Sequence, residues 1–332
     1  MDRKLKLEIL TLMLTARCME ERMAKMSKSA DAYFWLGGIG EEAFNVPLGM
    51  LARKGQGTDY DFFHFHYRNG ATMVALGMDP RDELRQIHNR ATDPFSGGRN
   101  FCNHYAYKPW NVMPVTSTIQ TQCSVAPGTA LAQKYDGCKG ITILTFGDAG
   151  TAEGDFHVGL NWATRPSKGM PGKSHLPDGL PMLFICTNNS FGISTPYSEV
   201  HGQKNPRDIA EGYGIKTKLV NGNDVEASYL ALQEAMTYVR EERKPFFLEA
   251  TVSRLHGHSS SSGANRIPEG HEVDPLQAWR DQLFAEGLLT PADYESMYEQ
   301  ETIKMREYLA EVKKEPAPDG SSIYDHIFAP EV

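Results

Sequence analysis

Long hydrophobic runs are missing from this chain. No stretch approaches the ~18 consecutive apolar residues that a membrane-spanning helix needs, so no bilayer span is expected. Cysteine is scarce and scattered: Cys18, Cys102, Cys123, Cys138 and Cys186 are odd in number, and none forms a Cys-x-x-Cys pair. That usage fits reduced thiols in a cytoplasm rather than a disulfide framework. Excess positive charge is absent too. A formal net charge of −8 argues against nonspecific affinity for nucleic acid or an anionic membrane. There is no internal repeat, low-complexity tract or flexible linker. The N-terminal "MDRKLKLEILTLML" is amphipathic with acidic residues mixed in, and lacks a signal-peptide core and cleavage site. No Gly-x-Gly-x-x-Gly follows a strand-like run, so hydride transfer to a nicotinamide cofactor is not expected of this chain.

What is present is the composition of an ordinary soluble protein, 40% apolar and 23% charged over 332 residues, enough for a large α/β core. The N-terminal segment 1–30 contains an amphipathic helix at 3–28, with Leu5, Ile9, Leu12, Met13 and Met19 along one side. Asp79 as N-cap and Pro80 at the first position start another helix. Residues 95–122 read as irregular and polar, too long for a plain connector, and suggest a binding loop. Beyond them, helix and strand signals alternate: helix 124–135, strand 141–146, helix 153–163, then strands 182–186 and 216–220. Helix 225–242 and strand 246–252 follow. Alternation of this kind gives a central, mostly parallel sheet with helices on both faces. The simplest organisation is a single α/β domain over 1–332, with a helical C-terminal extension at 276–332.

The stretch "FGDAGTAEGDF" (146–156) places a carboxylate, Asp148, where a β-branched run ends and a helix begins near Glu153. A second run, "MLFIC", ends in "TNN", bringing Asn188 and Asn189 to the same sheet edge. Ligands of parallel sheets lie beyond the carboxyl ends of the strands. A carboxylate and a carboxamide there are hard oxygen donors suited to Mg²⁺, and a helix N-terminus beside them favours an anion. Alone, Asp148 can equally be a helix cap, and the Asn-Asn pair a turn. Together they point to a metal-bridged diphosphate. "HFH" and "HGH" each put two histidines on one face of an extended chain, as a zinc site would, but neither has an obvious third ligand beside it.

The same segments carry a resemblance. "GDAGTAEGD" followed by "NN" is similar to the thiamine-diphosphate signature. With "GEEA", "YR", "SGGRNFCNHY", "NNSFGISTP", "GYGI", "VNGNDV" and "RLHGHS", nearly the whole chain resembles the α subunit of the decarboxylating component of 2-oxo acid dehydrogenase complexes. The branched-chain members are the most similar, with pyruvate- and acetoin-cleaving members as alternatives. A non-catalytic binding or scaffold protein that keeps the fold is the alternative of another class. The resemblance implies that Asp148, Asn189 and the Phe191 carbonyl bind Mg²⁺. It also implies that Tyr67, Arg68, Ser117, Ile119, Ala149, Gly150 and His258 contact thiamine diphosphate, Arg68 at the diphosphate and Ile119 as the wedge between its rings. Thr116, Thr121 and Gln122 match a potassium site. His258 matches the catalytic histidine, its ordinary pKa of ~6.5 suited to proton transfer, with Arg254 as a positioning cation.

The implied reaction is decarboxylation of a 2-oxo acid and reductive transfer of the acyl group to a lipoyl group on an acyltransferase partner. A β subunit would supply the glutamate that activates the cofactor, in an α₂β₂ heterotetramer expected in the cytoplasm and inactive as α alone. Three departures stand out. Ala149 replaces the usual second glycine. Thr187 stands where branched-chain relatives carry an arginine aimed at the diphosphate, with His66 or Lys168 as conceivable substitutes. The segment 164–181 is longer than expected, and reads as a solvated insertion at the edge opposite the cofactor. The serine- and glycine-rich segment after His258 is expected to order when cofactor binds.

Overall fold

In the computed structural model the described residues are 1–29, 31–169, 176–260, 272–325 and 327–328. The expected ordering of the segment after His258, and the centre of the 164–181 insertion, fall outside them.

Five strands build one sheet: β1 (Phe62–His64), β2 (Thr142–Gly147), β3 (Met182–Asn188), β4 (Lys216–Asn221) and β5 (Phe246–Thr251). Their order is β1-β2-β3-β5-β4, and every neighbouring pair is parallel. The α/β fold read from the sequence is the fold found.

Side-chain alternation explains why helices cover both faces. Ile143, Leu183, Ile185, Phe246 and Leu248 join one core. Their chain neighbours Leu144, Met182, Phe184, Cys186 and Phe247 join another on the far face. β3, between β2 and β5, is buried along its whole length. The first face is covered by α1 (Arg3–Lys28), α2 (Glu42–Leu51), α3 (Gly70–Leu76) and α4 (Pro80–Ile87), together with the later α9 (Val225–Glu242). α5 (Thr121–Tyr135), α6 (Gly154–Ala163) and α8 (Pro206–Gly212) cover the second, with the single turn of α7 (Tyr197–Val200) between α6 and α8 in sequence. The C-terminal extension consists of α10 (Pro275–Ala285) and α11 (Pro291–Val312), packed on α1. No helix among the described residues is long and apolar enough to cross a membrane.

Local rules set the ends of these elements. Asp2 caps α1 by accepting from Leu5 N at 2.8 Å, and Asp79 caps α4 with Pro80 at its first position. Fully buried Asp61, just before β1, accepts from Arg53 N (2.8 Å), Ile141 N (3.1 Å) and both Nη groups of Arg240 (2.8 and 2.7 Å). It thereby fixes where β1 starts relative to β2 and α9.

Beyond shifts of one or two residues at strand ends, three features differ from the sequence reading. α5 begins at Thr121 rather than 124, because Gln120 turns the chain at φ 69° without a glycine to signal it. A 3₁₀ turn, Asp148–Ala152, stands between β2 and α6, so the amides nearest Asp148 belong to that turn and not to the helix. The 95–122 segment is irregular, with one 3₁₀ turn at Lys108–Trp110, but its centre is buried rather than polar at Cys102, Tyr105, Val112 and Val115. The described ends of the 164–181 segment lie at the opposite sheet edge. There the Lys134 ammonium donates to Ser167 Oγ (2.6 Å), Pro177 O (2.5 Å) and Gly179 O (2.7 Å).

Candidate active site

The carboxyl ends of β1, β2 and β3 and the chain beyond β5 converge on a cleft of about 570 Å³, counting its open mouth. β1 contributes His66, Tyr67 and Arg68; β2 contributes Gly147 to Gly150 and Glu153; β3 contributes Asn189, Phe191, Gly192 and Ile193. Ile119 and His258 complete the lining. The structure thus brings together Tyr67, Arg68, Ile119, Asp148, Ala149, Gly150, Asn189, Phe191 and His258.

Asp148 is 1% exposed. Its Oδ1 accepts from Asn189 N at 3.2 Å, while Oδ2 is buried with no partner. Burial pushes its carboxyl up to about 7, against the pull of its own and the Asn189 backbone amides and of Arg254 and Arg68. An orphaned carboxylate oxygen at a strand end is costly unless a cation takes it. The turn after β3 is built for the same place. Ser190 adopts φ 61°, Asn188 Oδ1 accepts from Ser190 N (2.8 Å), and Asn189 Oδ1 accepts from Phe191 N (3.1 Å).

Arg68, 5% exposed, donates from Nη1 to the Gly37 carbonyl, and its Nη2 lies 3.3 Å from His258 Nδ1. Its Nε lies 3.8 Å from Glu41. Glu41 is itself buried, also bonded by Asn45 and Thr187, and pushed up to about 7 by burial. Thr187 therefore faces this inner layer and is not in the cleft wall. His66 lies in the wall with its ring 3.8 Å from that of Tyr67. Burial, with Arg68 and His258 nearby, holds it well below the ordinary histidine value, so it meets the cleft as a neutral imidazole and not as a replacement cation. Lys168 lies exposed in the 164–181 segment at the opposite edge.

Three expectations about charge and contact change. His258 is pulled down to about 4 by burial, then by Arg68 and Arg254, instead of sitting near its ordinary value. Arg254 is outside the cleft wall: its Nη1 donates to the Gly192 carbonyl at 2.7 Å and its guanidinium lies over the Phe191 ring. Ser117 is exposed and outside the wall as well, bonded at 2.6 Å to Nε2 of buried His104. The three potassium candidates have separate partners. Thr116 Oγ1 accepts from Thr118 N (3.1 Å), the Thr121 carbonyl accepts from Ser124 Oγ (2.9 Å), and Gln122 donates to the Thr145 carbonyl (3.3 Å). Gln122 Oε1 is buried and unpartnered. Neither histidine pair gathers further ligands: among the described residues no group of three His, Cys, Asp or Glu side chains could hold a metal ion.

The arrangement is one of oxygen donors beside buried cations, and its sequence kinship agrees. Residues 10–321 match the model of the family described as dehydrogenase E1 component. The chain belongs to that family. The 2-oxoisovalerate dehydrogenase subunit alpha of Bacillus subtilis (strain 168) is 30% identical over 323 residues, covering 96% of this chain and 93% of the relative. The mitochondrial 2-oxoisovalerate dehydrogenase subunit alpha of Dictyostelium discoideum is 27% identical over 330 residues, covering 97% of this chain and 71% of the relative.

Several residues of the cleft and its surround carry no clear signal in the sequence. Glu41 was visible only as a letter of "GEEA", because a buried carboxylate behind an arginine has no spacing signature. Glu153, Gly192 and Ile193 line the cleft through the shapes of two turns. His66, by contrast, carries a signal, as one of the two residues the sequence offers in place of the missing arginine.

Proposed function

We propose that the chain is the α subunit of a branched-chain 2-oxo acid dehydrogenase decarboxylating component, binding thiamine diphosphate through Mg²⁺. The observation that carries this is the buried, unpartnered Oδ2 of Asp148 in one cleft with Asn189, Phe191, Arg68 and His258. These residues fit the group: carboxylate, carboxamide and carbonyl oxygens are the hard donors Mg²⁺ takes, leaving positions for phosphate and water. Bound there, the cofactor supplies the electron sink that side chains lack.

The chain's own residues do the rest. Arg68 offers a guanidinium to phosphate oxygens, with Glu41 and the Gly37 carbonyl holding it in place. Ile119, 47% exposed at the cleft, would offer an apolar surface to the bound cofactor. His258 presents a neutral imidazole with its Nε2–H available to donate. The buried Oε1 of Gln122 supports a potassium site with Thr116 and Thr121. A β subunit supplies the activating glutamate, giving an α₂β₂ assembly in the cytoplasm that passes its acyl group to a lipoyl-bearing acyltransferase.

The test is turnover of 3-methyl-2-oxobutanoate, pyruvate and acetoin with thiamine diphosphate, Mg²⁺ and an artificial electron acceptor, on the chain alone and co-expressed with a β-type partner. Turnover only in the co-expressed sample, fastest with the branched acid, is expected. Pyruvate or acetoin winning would overturn the substrate, and activity of the chain alone would overturn the assembly.

A further inference from the structure

Arg254 is 4% exposed and follows β5, yet it does not reach the cleft. It reaches sideways instead, to the turn after β3. Its Nη1 donates to the Gly192 carbonyl at 2.7 Å, its guanidinium carbon lies 5.3 Å from the centre of the Phe191 ring, and its Nε is buried with no partner. The outer half of that turn is otherwise tied mainly to itself, by Gly192 N to the Thr195 carbonyl (2.8 Å) and Tyr197 N to the Ser190 carbonyl (2.9 Å). Arg254 therefore links the chain beyond β5 to the residues that set the direction of the Phe191 carbonyl.

We propose that Arg254 is a positioning residue for the divalent cation, acting through Phe191 and Gly192 and not on the 2-oxo acid. This rests on reading Asp148, Asn189 and the Phe191 carbonyl as the metal's ligands. Mg²⁺ demands near-ideal octahedral placement of its oxygens, and groups that orient ligands from behind typically set metal affinity by about 10–100-fold. The planar guanidinium is suited to the task because it lies over the ring while one of its Nη groups holds the neighbouring carbonyl. A lysine offers a point charge without the plane.

The experiment uses the chain assembled with its β-type partner, as wild type, Arg254→Lys, Phe191→Leu and Asp148→Asn. Thiamine diphosphate binding is followed by calorimetry across a Mg²⁺ titration, Mn²⁺ binding by electron paramagnetic resonance, and kcat and KM for the 2-oxo acid at low and high Mg²⁺. Arg254→Lys is expected to raise the Mg²⁺ half-saturation about 10-fold or more and to broaden the bound Mn²⁺ signal. Activity lost at low Mg²⁺ should return at high Mg²⁺, with KM for the 2-oxo acid unmoved. Phe191→Leu should shift Mg²⁺ affinity in the same direction by less, and carries the test should Arg254→Lys not assemble. Unchanged Mg²⁺ affinity with a raised KM would overturn the proposal, placing Arg254 on the substrate. Wild type binding cofactor without Mg²⁺, or Asp148→Asn keeping the Mg²⁺ dependence, would overturn the ligand reading instead.

Discussion

Arg68 Nη2 lies 3.3 Å from His258 Nδ1. A guanidinium has only donors, so the nitrogen it faces holds a lone pair, and the neutral His258 ring carries its proton on Nε2. The residue proposed to offer charge to a diphosphate thus also fixes the tautomer of the histidine beside it. Because Arg68 is braced by Glu41 and Gly37 from behind, the tautomer is set by the scaffold before any ligand arrives.

The pH behaviour of His258 follows. Burial and the two arginines lower its pKa to about 4, below the ~6.5 of an unfolded chain. The stability this contributes is fully present above pH ~6.5 and is lost as pH falls toward 4, since the unfolded state then takes up a proton that the folded state refuses. Nuclear magnetic resonance titration of His258 should give a midpoint near 4 and nitrogen shifts of the Nε2–H form. Arg68→Met should raise the midpoint partway, burial being the larger cause, and admit the other tautomer. A midpoint unmoved by Arg68→Met would assign the whole shift to burial.

Asp148→Asn replaces the orphaned carboxylate oxygen by an amide of the same shape. The variant is expected to fold and to lose the rise in melting temperature that Mg²⁺ plus thiamine diphosphate is expected to give wild type. In the linkage relation that rise corresponds to ~2.7 kcal/mol when ligand stands at about 100 times its Kd. Differential scanning fluorimetry with and without the ligands checks it, and an equal rise in variant and wild type would remove Asp148 from the metal site.

How far the sequence spoke depends on whether a residue acts through local pattern or through distant packing. The β-branched runs ending at Asp148 and Asn189 announce both a strand and its loop, so these two residues were legible together. Helix α9 was readable to its ends because Asp224 caps it. Glu41 and Arg68 are far apart in sequence and share a buried ion pair that no spacing encodes. The placement of Arg254 behind Phe191 depends on how the chain leaves β5. The early start of α5 was hidden because the left-handed residue that opens it is a glutamine.

Asp61 supplies a test of the frame that aligns β1 beside the site. Its carboxylate is 0% exposed and serves two backbone amides as well as Arg240. Asp61→Ala strands all of these donors and is expected to cost about 3–5 kcal/mol. Arg240→Met leaves the carboxylate its two amides and should cost less. Urea unfolding midpoints of the two variants should fall in that order. The reverse order would mean that the Arg240 guanidinium, and not the strand-start amides, is what Asp61 is there to hold.

Gly150 and Gln120 provide the sharpest coupling in the cleft floor. A Cβ built on Gly150 would run into the side-chain amide of Gln120. Gln120 itself is fully buried at φ 69°, with Nε2 unpartnered. Neither residue can give way cheaply: Gln120 is held by its Oε1, which accepts from Cys123 Sγ at 2.8 Å, and its positive φ already costs ~1 kcal/mol or more. Gly150→Ala is therefore expected to destabilise by about 1–3 kcal/mol and to weaken thiamine diphosphate binding. Gln120→Gly removes both the obstructing amide and the strained backbone, so it should be tolerated alone and should rescue Gly150→Ala. A double-mutant cycle on unfolding midpoints and cofactor affinity reads the interaction directly. Additive losses in the double variant would show that the glycine is required by the cofactor rather than by Gln120.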